Sequence, residues 1–179
     1  MRRRKSLLLT AATCVVGLTV AGIALASAGG GSTTVVKTVG KEYWESNTFV
    51  AATLRFAPET ITVQSGDSVT FVHADRDPEP HTVTIATRSQ LPKSFDSPCK
   101  PCQVAGGHLK NPRNEESGVA HWVLNKGPDG FDRFGDSLAL APKGPHRTGT
   151  VTISASAGTT LYYICAIHPW MQGKIVVTQ

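Results

Sequence analysis

The sequence predicts an all-β protein, a β-sandwich or barrel with Greek-key connections, on three observations. Apolar and polar residues alternate in short runs, turn-forming residues separate those runs, and no long stretch carries a helical period. Seventeen glycines and eleven prolines in 179 residues are enough to punctuate many strands.

The N-terminus stands apart. Four cations in "MRRRK" precede an uncharged apolar run from Leu7 to Ala26, and Ala26-Ser27-Ala28 is a small-x-small triplet. Residues 1–28 thus read as a signal peptide. The run is also long enough to span a bilayer, so an N-terminal membrane anchor through residues 7–26 is the alternative. Either way the rest of the chain is expected outside the cytoplasm: in the periplasm, at the cell surface or extracellular. The formal charge of +5 is misleading, because without those four cations fourteen Lys and Arg face thirteen Asp and Glu. No basic face remains to bind nucleic acid.

Residues 29–45 read as a linker and first strand, and 46–179 as the domain. Ala52, Leu54 and Phe56 alternate, as do Ile61 and Val63. "SGD" at 65–67 is a turn, and Val69 and Phe71 alternate after it. "DRDPEP" at 75–80 is a loop. His81, Val83 and Ile85 then share one face of a strand, with Thr82 and Thr84 on the other. Val151 and Ile153, then Leu161, Tyr163 and Cys165, then Ile175 and Val177 complete the pattern. The stretch of about 88–146, rich in Pro, Gly, Asn and Lys, breaks it and reads as a long inserted loop. Within it, 117–124 is either a strand or a helical turn.

Chemistry concentrates in "YYICAIHPWMQGKIVV", residues 162–177. A strand ends in Cys165, a histidine follows three positions on, and a methionine three beyond that. His81 lies at the end of another strand, on its inward face. Two strand ends and one tight loop can bring together the Cys165 thiolate, the His81 and His168 imidazoles and the Met171 thioether. That donor set is what a type 1 copper centre requires. The short C-x2-H-x2-M spacing restrains three of the donors whether or not metal is present. No G-x-S-x-G, phosphate loop, H-E-x-x-H or paired carboxylates argue for a hydrolase.

The blocks "FAPETITVQSGDSVTFVHADRDPEPHTVTI" (56–85) and 150–177 resemble the plastocyanin/amicyanin group of blue copper proteins, the cupredoxins. "PH" before an alternating strand matches the first-ligand region. "YICAIHPWMQGKIVV" is similar to the amicyanin loop in spacing and in its His-Pro-aromatic-Met order. The resemblance implies a two-sheet Greek-key sandwich with one copper at one end. His81, Cys165 and His168 are then the equatorial ligands and Met171 the axial one, with His168 the ligand exposed at the surface. It implies a one-electron carrier, not an enzyme, that acts as a monomer with a redox partner protein. An extracytoplasmic copper-handling role (storage, delivery or resistance) is the alternative. His73 stands where many members of the group have an asparagine; it either donates a hydrogen bond between the ligand loops or acts as an extra ligand. Cys99 and Cys102 form a disulfide or, with His108 or His121, a second metal site.

Overall fold

Period-two runs become strands where one side can be covered, and eleven do so among the described residues. The computed structural model describes residues 33–94, 97–103 and 130–179, within a unit spanning Gly31–Gln179. The strands are β1 (Thr33–Val39), β2 (Glu42–Glu45), β3 (Phe49–Ala52), β4 (Arg55–Ala57), β5 (Thr60–Gln64), β6 (Ser68–His73), β7 (His81–Ala86), β8 (Ser137–Leu140), β9 (Thr148–Thr152), β10 (Thr160–Ile164) and β11 (Gln172–Thr178). One sheet has the order β4-β1-β6-β9, the other β5-β11-β10-β7-β8. The chain passes between them after β4, β5, β6, β8 and β9, the interleaving of a Greek-key sandwich.

Alternation fills the space between the sheets. Ile61 and Val63 of β5, Val69 and Phe71 of β6, and Ile175 and Val177 of β11 are all buried. Phe56 and Phe71 from one sheet meet Tyr163 from the other edge to face, with ring centroids 5.0 and 5.6 Å apart. β7 departs from simple alternation. All six residues His81–Ala86 are buried, Thr82 and Thr84 included. Hydrogen bonds satisfy these hydroxyls: Thr82 Oγ1 accepts from the Ala166 N–H at 2.7 Å, and Thr84 Oγ1 from the Ser137 hydroxyl at 3.2 Å.

The stretch read from the sequence as a loop, 88–146, contains β8 and the buried Phe131, which bridges to Ile153. Gly135, at φ 93°, and Pro142 bracket β8 closely, leaving only four residues in which Leu138 and Leu140 alternate with Ala139. Pairing with β7, from His81↔Leu140 to Thr84↔Ser137, makes it a strand. Cys99 and Cys102 are joined as a disulfide, which removes both thiolates from any metal site. His108, His121 and 117–124 lie outside the described residues, as does the candidate signal or anchor. Among the described residues no helix is long and apolar enough to cross a membrane. β2 and β3 form a separate hairpin, unpredicted from the sequence, whose cross-strand pair Trp44↔Val50 is 74% and 76% exposed.

Gly173 of β11 lies opposite Tyr163 of β10, and a Cβ there would run into the Tyr163 ring and the Glu59 carbonyl. Gly173→Ala is expected to destabilise the domain by about 1–3 kcal/mol, the cost of overpacking a filled core. Chemical denaturation measures this, and an unchanged midpoint would show that the ring yields freely.

Candidate metal centre

His81 opens β7, and Cys165 directly follows the last residue of β10. These strands pair antiparallel with Ile164 opposite Thr84, so the start of one and the end of the other share an end of the sheet. The loop after β10 is fixed by its own backbone. The Met171 N–H donates to the His168 carbonyl at 2.8 Å, and the Cys165 N–H donates to the Met171 carbonyl at 2.9 Å. The Gln172 amide ties the loop outward, donating to the Pro169 and Pro92 carbonyls at 2.9 Å each.

These constraints gather His81, Cys165 and His168. Cys165 Sγ lies 3.6 Å from His168 Nδ1 and 3.8 Å from His81 Nδ1, and the two Nδ1 atoms are 3.1 Å apart. All three residues are buried, and their donor atoms form a group able to hold a metal ion. Met171 is wholly buried in the adjoining core. The Thr82 backbone N–H donates to Cys165 Sγ at 3.3 Å, a partner no sequence pattern announces.

The resemblance implies an exposed His168, but the structure buries it at 2%. Glu79 Oε2 lies 3.2 Å and Glu42 Oε1 3.9 Å from its Nε2, and the Trp170 ring packs edge-on with centroids 5.3 Å apart. Glu42 comes from the β2–β3 hairpin, which the period-two reading did not reveal.

A second group, His73, Asp75 and His81, adjoins the first. His73 is not among the three clustered donors around Cys165. Its Nε2 donates to the Glu79 carbonyl at 2.9 Å, and its own carbonyl accepts from Arg147 Nη2 at 2.8 Å. His73 therefore stitches β6 to the 75–80 loop by a hydrogen bond. The only sequence signal for Asp75 was an acidic loop placed just before His81.

The electrostatics of the cluster are cooperative. Burial pushes the Cys165 thiol up, but hydrogen bonds with His168 and His81, the Thr82 N–H and the charge on His81 outweigh it and bring the thiol down to about 6. Burial likewise opposes an imidazolium at His81, yet the hydrogen bonds to Asp75 and Cys165 and their charges raise it to about 9. His168 is also raised against burial, chiefly by Cys165. Asp75 is held well below the usual carboxylate range, because its bonds to His81, Thr38 and the Asp77 N–H overcome burial.

No family model matches this sequence, and no curated protein does. Among solved structures, the chain is similar to an amicyanin variant in its Cu(I) form, at 19% identity over 81% of each chain with a TM-score of 0.37. It is similar to reduced auracyanin from the photosynthetic bacterium Roseiflexus castenholzii, at 21% identity over 84% of this chain and 100% of that one, TM-score 0.40. It is also similar to a purple cupredoxin from Nitrosopumilus maritimus, at 14% identity over 81% and 99%, TM-score 0.34. These likenesses are loose, and the sandwich is defined by its own strand order.

The titration of Cys165 is directly measurable. Its folded value lies below the ordinary 9.0, so the thiolate contributes stability that is present above pH 9 and lost as pH falls through about 6. His81, raised from 6.5, contributes stability that is present below 6.5 and lost as pH rises through about 9. Between those limits the two slopes oppose and largely cancel. Ultraviolet thiolate absorbance of the metal-free protein is therefore expected to rise with a midpoint near pH 6, and a midpoint near 9 would contradict the cluster's electrostatics.

Proposed function

We propose that this chain is a blue copper protein of the cupredoxin kind that carries single electrons outside the cytoplasm. The observation that carries this reading is the mutual approach of Cys165 Sγ, His81 Nδ1 and His168 Nδ1 to 3.8 Å or less in a buried site. Donors bonded to one first-row metal ion at roughly 2.0–2.3 Å must lie about 3–4 Å apart, and all three pairs do. A soft thiolate with two imidazoles and a thioether favours copper over metals that prefer oxygen. His81, Cys165 and His168 would hold the ion, and Met171, buried in the adjoining core, would supply the weak fourth donor. When bound, copper supplies one-electron cycling between Cu(I) and Cu(II).

The chain's own part is to keep the donors in place and water out. The Thr82 N–H fixes the sulfur, and the backbone bonds among Cys165, His168 and Met171 hold the loop's shape. Donors that need not move keep the reorganisation accompanying electron exchange small. Trp170, 41% exposed, and the half-exposed Glu79 side chain lie between His168 and solvent, so a redox partner protein meets this end of the sandwich. The basic and apolar N-terminus and the Cys99–Cys102 disulfide support an exported protein. It acts as a monomeric carrier rather than an enzyme, tethered to a membrane if residues 7–26 are retained.

The test is an optical and EPR spectrum of residues 29–179 with one equivalent of Cu(II). A deep blue solution with a narrow copper hyperfine splitting, abolished by Cys165→Ser, is expected. A pale solution with a wide splitting would overturn the electron-carrier reading and bring copper handling forward.

A further inference from the structure

Behind His81, on the side away from Cys165, lies a buried carboxylate. The Asp75 side chain has no solvent exposure. Its Oδ1 accepts the Asp77 N–H at 3.0 Å, which shapes the 75–80 loop. Its Oδ2 lies 3.1 Å from His81 Nε2. An ionised carboxylate only accepts hydrogen bonds, so the shared proton is on Nε2. His81 Nδ1 is then turned toward Cys165 and His168. The Asp77 N–H takes one oxygen and the ring the other, and the Thr38 hydroxyl bonds to the same carboxylate. On the far side the His73 ring packs against His81 with centroids 4.7 Å apart. His73 Nδ1, 3.5 Å from Asp75 Oδ1, makes no hydrogen bond.

We propose that Asp75 is a positioning residue of the metal centre: it fixes the His81 ring with Nδ1 facing Cys165 and His168, and its negative charge, one imidazole away from the metal, lowers the reduction potential. The inference rests on the copper reading above. Its sign follows from Coulomb's law. A buried anion favours the more positive metal state, Cu(II), and low-dielectric surroundings screen it little. Partners of a ligating histidine's second nitrogen set both its orientation and its basicity. Burying a carboxylate is costly without such compensation, and the ring supplies part of it, with the Asp77 N–H and Thr38.

Two variants separate charge from hydrogen bond. Asp75→Asn keeps the side chain's shape and one oxygen acceptor for the ring, removes the charge, and turns its NH2 toward the Asp77 N–H, whose bond is given up. In the copper-loaded protein it is expected to keep the blue optical and EPR signature while shifting the one-electron equilibrium at least tenfold toward Cu(I), a rise in midpoint potential of about 59 mV or more. Asp75→Leu removes the acceptor as well. NMR of the diamagnetic Cu(I) protein is expected to show a slowly exchanging His81 Nε2–H in the wild type and in Asp75→Asn, and to lose it in Asp75→Leu. An intact blue spectrum with unchanged potential in Asp75→Asn would overturn the electrostatic half. Absence of a protected His81 Nε2–H in the wild type, a measurement that needs no variant, would overturn the positioning half. Should the wild type lack the blue signature altogether, the copper reading fails by itself, and the ring-proton measurement on the metal-free protein still judges the positioning.

Discussion

The antiparallel pairing of β7 with β10 is the constraint on which the site depends. Its register, from Tyr162↔Ala86 to Ile164↔Thr84, brings the first residue of one strand beside the end of the other. A one-residue slip would turn every side chain of β10 to the opposite face and carry Cys165 away from His81. The register is guarded on both sides. Tyr163 sits between Phe56 and Phe71 across the sandwich, and β8 closes the other edge of β7. Packing far from the donors therefore decides whether they meet.

Around that frame the polar groups act as one unit. A thiolate, two imidazoles and a carboxylate are buried together, and any one of them alone would be expensive to desolvate. Each is compensated by the next: the Thr82 N–H on the sulfur, the sulfur on both imidazoles, Asp75 on His81, and Glu79 on His168. Removing one partner takes away part of the compensation that its neighbours rely on. That is why the cluster's charges shift together rather than singly.

Much of this was legible in the sequence because period two reports the inward face of a strand. It puts His81 and Cys165 on inward faces at two strand ends, where both are buried, and the C-x2-H-x2-M spacing keeps His168 in the same loop. What escaped was set by tertiary contacts. β8 is a four-residue alternation inside a stretch rich in Pro, Gly, Asn and Lys, and it is recognisable as a strand by its pairing with β7. Alternation puts Thr82 and Thr84 on the other face of β7, yet that face is covered too, and hydrogen bonds satisfy their hydroxyls. The family resemblance implies an exposed His168, and the carboxylates of Glu79 and Glu42, from separate segments, lie against it instead. Asp75 was one acidic residue among several in a loop, and nothing local distinguishes the one that reaches a ring.

The C-terminal strand has a kinetic consequence. β11 pairs with β10 next to it, but also in parallel with β5, where Gln64 and Gln179 are linked across 115 positions. His81 and Cys165 are themselves 84 positions apart. The loop bearing Cys165, His168 and Met171 is local in sequence, whereas its scaffold is not. Chain entropy must be spent on closing long loops before those contacts return anything, which places this topology among the slower-folding ones. The donor cluster shares that dependence: the thiol and the first imidazole lie far apart along the chain and become neighbours only through the pairing of β7 with β10.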